Sequence, residues 1–279
     1  MEDLYTHTTF DTSRVVTRNY STSFFSAVSL LDVRIRRAVF GIYGFVRLAD
    51  EIVDTFQSQD QALLLDRLES EYEQAKKTGF SLNPIVHAFR QVVESYGIDE
   101  SLIEAFLKSM RTDLTKKEYV NEREEAEYIY GSAEVVGLMC LKIFTGEKPE
   151  LYEQLREPAM KLGSAFQKVN FLRDLRYDRT ELGRNYFPEI GTRTFDEEIK
   201  LHIIEDIEAE FAAAYSGLRR LPAGSRYGVY LAYVYYSALL KKIKRTPALQ
   251  LLERRVRVSD MDKMFLLVRS FFYNKMNWI

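Results

Sequence analysis

The sequence predicts an all-α protein, a bundle of helices around a central apolar cavity, built as a single domain over residues 1–279. Three observations predict it. Apolar residues recur with a period near 3.6 along most of the chain, with Ser, Asn or Asp ahead of several runs and Gly behind them. No alternating stretch is long enough for a strand, and no unit of 20 to 50 residues repeats. Finally, two Asp-x-x-x-Asp pairs lie on helices that are otherwise apolar, so carboxylates face the interior and need something to compensate them there.

Taken in order, Thr12 or Ser13 caps a short first helix. Residues 20–31 mix hydroxyls and aromatics without an apolar stripe and read as a loop packed by Phe24 and Phe25. Asp32 caps a long helix ending at Asp54. Beyond the polar residues 55–60, a helix runs from Gln61 to Lys77 and stops at Thr78-Gly79. Asn83-Pro84 opens the next, which reaches about Tyr96 before Gly97 ends it. Asp99 caps a helix from Glu100 to about Leu114, and 115–125 link onward.

A helix from Glu125 to Phe144 aligns Tyr128, Gly131, Ser132, Val135 and Met139 on one side. The small residues leave a groove lined by Val135 and Met139; close packing of another helix on Gly131 and Ser132 is the competing reading. Pro149 to Arg179 is the central helix, and Gly183 breaks it, leaving Arg184 to Pro188 as a loop able to fold over a site. Three helices follow, Thr194 to about Leu221, Ser225 to about Lys244 and Ser259 to Asn274. The second is crowded with Tyr227, Tyr230, Tyr233, Tyr235 and Tyr236, mostly core. The last reads as packed on the core, in preference to a membrane-facing role for Met264 to Tyr273.

A net charge of −2, from 39 basic and 41 acidic residues, provides no field for nucleic acid, and no such partner is expected. Arg254, Arg255 and Arg257 read as a solvated helix face. Hydrophobic residues make up 46% and aromatics 13%, ample for a core and for walls around an apolar ligand. The lone Cys140 precludes an internal disulfide and fits a reducing cytoplasm. None of His7, His87 and His202 has a partner at metal-ligand spacing, which argues against zinc. The N-terminus lacks the basic and apolar regions of a signal peptide, and no run approaches about 18 apolar residues. A cytoplasmic protein, soluble or peripherally membrane-associated, is expected.

The chemistry concentrates in Phe166 to Pro188. At about 100° per residue, Gln167, Asn170, Asp174 and Asp178 share one narrow sector of a helix whose other side is Leu162, Val169, Leu172 and Leu175. The same arithmetic unites Tyr43, Arg47, Asp50 and Asp54. Such spacing is more often a solvated acidic face, but two copies on apolar helices argue for cations between them. Paired carboxylates suit a hard divalent ion that shares its shell with a phosphate. Arg47 and Arg173 are candidates to grip phosphate oxygens in a fork, Arg173 lying about 100° off the aspartate face.

Four stretches in order, Arg-Leu-Ala-Asp-Glu-Ile-Val-Asp (47–54), Tyr-Ile-Tyr-Gly-Ser-Ala-Glu-Val-Val-Gly (128–137), Phe-Gln-Lys-Val-Asn-Phe-Leu-Arg-Asp-Leu-Arg-Tyr-Asp (166–178) and Gly-Arg-Asn-Tyr-Phe-Pro (183–188), resemble the head-to-head prenyl synthases, the squalene, dehydrosqualene and phytoene synthases. The resemblance spans nearly the whole chain and implies an isoprenoid-synthase-type bundle. It implies Mg²⁺, or Mn²⁺, at Asp50, Asp54, Asp174 and Asp178, and a catalytic, cation-facing Tyr128. It also implies substrate contacts from Ser21, Ser23 and Phe24, alongside Tyr43, Arg47, Gln167, Asn170 and Arg173, with Arg184 and Tyr186 at the diphosphate. Glu134 departs from the pattern, standing where many relatives have glycine.

The implied reaction joins two prenyl diphosphates through a cyclopropyl intermediate that ionises again and rearranges. The segments around Asp50 and Asp174 look most like bacterial phytoene synthases, so the expected substrate is geranylgeranyl diphosphate, the product phytoene, and NADPH is not expected. Squalene or dehydrosqualene formation from farnesyl diphosphate is the alternative. A non-catalytic binding relative is a third, disfavoured because all four carboxylates are present. No C-terminal membrane anchor of the eukaryotic squalene synthase kind is expected.

Overall fold

The computed structural model describes residues 2–276 except residue 193. Among these, helices α1 (Glu2–Tyr20), α2 (Thr22–Ser29), α3 (Val33–Asp54), α4 (Gln61–Thr78), α5 (Pro84–Tyr96) and α6 (Glu100–Asp113) form the first half. Then come α7 (Glu122–Ile129), a π-helical turn (Tyr130–Glu134), α8 (Val135–Thr145) and the 32-residue α9 (Pro149–Thr180). The remainder is α10 (Pro188–Thr192), α11 (Glu197–Leu218), α12 (Ala223–Arg245), α13 (Ala248–Leu251) and α14 (Asp260–Lys275). The only β pairing among the described residues is a bridge between Glu118 and Asn185, so the all-α expectation holds.

Where local chemistry dictates a boundary, the structure follows it. Asp32 caps α3 by accepting from the Arg34 N–H, and Asn83 caps α5 ahead of Pro84. Gly79 and Gly97, at φ +77° and +58°, end α4 and α5 in the left-handed conformation that favours glycine.

Four expectations are corrected. The first helix begins at Glu2, well ahead of the expected cap, because Thr8, Thr12, Ser13 and Thr17 turn their hydroxyls onto carbonyls of the preceding turn instead of capping. The expected loop over 20–31 is mostly α2, capped by Ser21, whose Oγ accepts from the Phe24 N–H. The expected helix from Glu125 to Phe144 is interrupted by the π turn. One surplus residue there rotates everything beyond it by about 100°. Val135 and Met139 therefore lie fully buried in the core, while Val136, Gly137 and Cys140 line the cavity. Gly131 serves close packing: a Cβ there would stand 2.7 Å from the Ala105 carbonyl oxygen.

The fourth correction is α14, which lies against α12 with little more than Leu266 and Ser270 buried. Met264, Phe265, Val268 and Phe272 face outward and are 61%, 66%, 47% and 55% exposed. Among the described residues its main neighbour is α12, which covers only one side of it.

One stretch, Glu122–Thr145, is long and apolar enough to cross a membrane on composition, but half of its most apolar window is buried within the bundle. Two apolar clusters flank the cavity. One joins α1 to α6 with α8 and part of α12; the other joins the C-terminal half of α9 with α11 and the segment 186–195.

The long α9 packs most extensively on α11. The two helices pack tightly at Gly217, where an added Cβ would stand 2.3 Å from the Pro158 ring. Both residues line the cavity, and a proline ring cannot swing aside. Gly217→Ala should cost about 1–3 kcal/mol, measurable as a lower midpoint of urea unfolding at unchanged slope.

Candidate active site

Asp50 and Asp54 on α3 and Asp174 and Asp178 on α9 line a single cavity of about 410 Å³. Its apolar walls include Phe24, Val28 and Leu31 near α2, Val136 and Phe144 of α8, Phe166 of α9, and Leu218 of α11. The acidic pairs face each other. Burial, reinforced by Asp54, raises the Asp50 carboxyl to about 7. Burial, then Asp174 and Asp54, raises Asp178 to about 8.

These shifts carry a sign. A carboxyl raised above its ordinary 3.8 folds more favourably protonated, so its contribution is present at low pH and lost through about 7 to 8. In protein stripped of divalent ions with EDTA, denaturant stability should therefore be lower at pH 8.5 than at pH 5.5. Equal or rising stability would contradict the crowding of these acids.

Three arginines balance part of the charge. Arg184 Nη1 donates to Asp54 Oδ1 at 2.6 Å, while its Nη2 donates to the carbonyls of Val53 and Asp113 at 3.1 Å each. Arg173 and Arg255 both reach Asp174, with Arg255 Nε 2.6 Å from Oδ1. Arg255, expected on a solvated face, is thus part of the site. Arg47 lines the cavity but pairs with Glu51 and stacks on the Tyr20 ring at 4.5 Å.

The loop holding Arg184 is fixed at both ends. Gly183 takes φ +62°, the Arg184 N–H returns to the Asp178 carbonyl at 2.7 Å, and Asn185 exchanges backbone bonds with Lys117 and Tyr119. Stretch 115–125, expected as a plain linker, thereby anchors the loop. Tyr186 stacks on Phe171 at 4.1 Å and near Tyr128 at 5.0 Å, and its hydroxyl accepts from Arg184 at 3.2 Å.

Tyr128 is buried and donates its hydroxyl to Asp113 Oδ2 at 2.6 Å. Asp113, at the end of α6, is 3% exposed and lines the cavity. Burial raises its carboxyl to about 7 despite the nearby Arg184. Sequence reasoning missed it because a lone aspartate at a helix C-terminus has no periodic partner to mark it.

The other expected residues divide. Phe24, Tyr43, Gln167 and Asn170 line the cavity, with Phe24 stacked on Tyr43 at 4.7 Å. Ser21 caps α2 and meets the Tyr43 hydroxyl rather than lining the cavity, and Ser23 does not line it either. Of the five tyrosines on α12, Tyr236 alone lines it, with its hydroxyl 3.3 Å from Asn170 Oδ1 and its ring 4.0 Å from that of Phe166. Glu134 points elsewhere, into a polar cluster with Lys161, Lys168 and Glu210, so it leaves the cavity's shape alone.

The donor set is all oxygen and suits a hard cation. Among the described residues no three acidic, imidazole or thiol side chains converge tightly enough to enclose an ion. Each aspartate pair offers at most part of a cation's shell, so an ion there would need oxygen ligands from water or a bound molecule.

A family model described as squalene/phytoene synthase matches residues 17–262. The phytoene synthase of Arthrospira platensis is 25% identical over 92% of this chain and 91% of its own. The chloroplastic phytoene synthase 1 of Solanum lycopersicum is 29% identical over 84% of this chain, which spans 61% of that longer protein. A solved dehydrosqualene synthase with bound ligand superposes with a TM-score of 0.83 at 24% identity, over 97% of this chain and 98% of the other.

Proposed function

Because this chain belongs to the squalene/phytoene synthase family, and is thus a head-to-head condensing prenyltransferase, we propose that it joins two geranylgeranyl diphosphates to phytoene through prephytoene diphosphate. The observation that carries the reading is one cavity with four aspartates on facing helices and apolar walls around the rest. Such a space accepts two charged heads and shields two hydrocarbon tails from water. Residues 1–279 act as one domain in this reading.

Asp50, Asp54, Asp174 and Asp178 would hold Mg²⁺ or Mn²⁺. The metal, when bound, supplies Lewis acidity that neutralises the departing diphosphate. Arg173 and Arg255 bind diphosphate oxygens when they release Asp174, and Arg47 does so when it turns from Glu51. Arg184 keeps Asp54 in place. Once the diphosphate leaves, the carbocation meets the electron-rich faces and oxygens of Tyr128, Tyr43 and Tyr236 instead of water. NADPH has no part in a reaction that ends by proton loss.

The expected location is the cytoplasm, with peripheral contact to membrane through the outward apolar side of α14. Beside that apolar side Arg269 and Lys275 are exposed cations, while the acids of the helix, Asp260 and Asp262, are confined to its first turn.

The deciding experiment is incubation with geranylgeranyl or farnesyl diphosphate plus Mg²⁺, with and without NADPH, followed by product mass. A C40 hydrocarbon formed without NADPH is expected. A C30 product alone would assign the enzyme to farnesyl diphosphate instead.

A further inference from the structure

Asp113 belongs to neither acidic pair, yet it is almost fully buried, lines the cavity, and leaves Oδ1 without a hydrogen-bond partner. An unpartnered buried carboxylate oxygen is costly and needs a reason. Its other oxygen accepts the Tyr128 hydroxyl at 2.6 Å. On the far side, Arg184 donates to the Tyr186 hydroxyl at 3.2 Å, and the Tyr186 hydroxyl in turn meets that of Tyr128. Since the Tyr186 oxygen receives from Arg184 and the Tyr128 proton is committed to Asp113, the phenol oxygen of Tyr128 has only lone-pair density left for the cavity. Arg184, the two hydroxyls and Asp113 thus form one chain of polar groups that ends on the carboxylate.

We propose that Asp113 is the acceptor, reached through the Tyr128 hydroxyl, of the proton lost from carbon in the last step of the reaction. The inference rests on the reading that this enzyme ends by proton loss and not by hydride capture. The C–H bonding pair becomes the new π bond and discharges the carbocation. Its proton arrives on the Tyr128 oxygen as that oxygen's own proton passes to Asp113 Oδ2. Tyr128 ends as a neutral phenol and Asp113 as a carboxylic acid, so charge and atoms balance without any co-reactant. The acid gives that proton up to water once the hydrocarbon has left the cavity, and Asp113 returns to its carboxylate. Asp113 touches no substrate; it acts through Tyr128.

The test supplies isolated prephytoene diphosphate, which bypasses the first condensation, and compares diphosphate released with hydrocarbon formed. Wild type should yield about one hydrocarbon per diphosphate. Asp113→Asn keeps the shape but cannot take the proton: diphosphate release should continue while hydrocarbon per release falls by about 10²-fold, replaced by water-captured alcohols. Tyr128→Phe, which keeps the ring stack, should give the same partition, and the double variant should be no worse than either single one. Unchanged partition in Asp113→Asn, or fully additive losses, overturns the relay. A purely structural role would lower release and hydrocarbon together. A wild-type enzyme that forms hydrocarbon only with NADPH would instead overturn the underlying functional reading, and that outcome is visible before any variant is made.

Discussion

Asp50→Asn should abolish turnover while raising the stability of the metal-free protein at pH 8.5. The same carboxylate that activity requires is one the empty site tolerates poorly. Its charged form is disfavoured by burial and by Asp54, so an uncharged isostere removes repulsion without opening a void. Removing one of the four acids should weaken the charge neutralisation that lets diphosphate depart, a contribution of several kcal/mol. At about 1.4 kcal/mol per decade, that is a loss of roughly 10³-fold or more in kcat.

Asp174→Ala should be equally inactive with little change in helicity, but without the gain in stability. Asp174 is held by both Arg173 and Arg255, and its loss leaves two guanidinium groups facing each other. Product assays and urea unfolding in EDTA, run on both variants, check the contrast. Near-normal rates in either would remove that aspartate from the reaction.

Arg184→Met should produce the largest loss of stability from a single substitution in the site, about 3–5 kcal/mol. The guanidinium is 3% exposed and satisfies Asp54, the Val53 and Asp113 carbonyls and the Tyr186 hydroxyl at once. Methionine fills much of the volume and supplies none of these bonds. Two buried backbone carbonyls and the Tyr186 hydroxyl would then lose their donor, and the partly exposed Asp54 its counter-charge among the other acids. Urea unfolding measures the effect, and a change within 0.5 kcal/mol would show that the network is not what holds α3, α6 and the 183–188 loop together.

What could be read from the chain beforehand was what depends on near neighbours. Asp32, Asn83 and the two left-handed glycines act within a few residues of themselves, and their helices start or stop where expected. The four aspartates were legible because a period of 3.6 repeats the same chemistry twice on apolar backgrounds. Asp113 and Arg255 were not, since each becomes a site residue only through a partner 15 or 81 positions away. Ser21 was ambiguous because capping a helix and touching a ligand draw on the same residue types, and it caps α2 beside the Tyr43 hydroxyl. In α14 the apolar pattern was correctly seen, but nothing local states whether a second helix will arrive to cover it.

The π turn at Tyr130–Glu134 sets the phase of the wall that follows it. Were that turn to relax to regular α-helix with its residue count unchanged, Val135 and Met139 would swing inward and Gly137 and Cys140 would withdraw, reshaping the hydrocarbon compartment without altering any group that handles charge. The shape of the tail compartment and the chemistry of the head are therefore separable along this chain, because the winding of one turn sets the first and leaves the second alone.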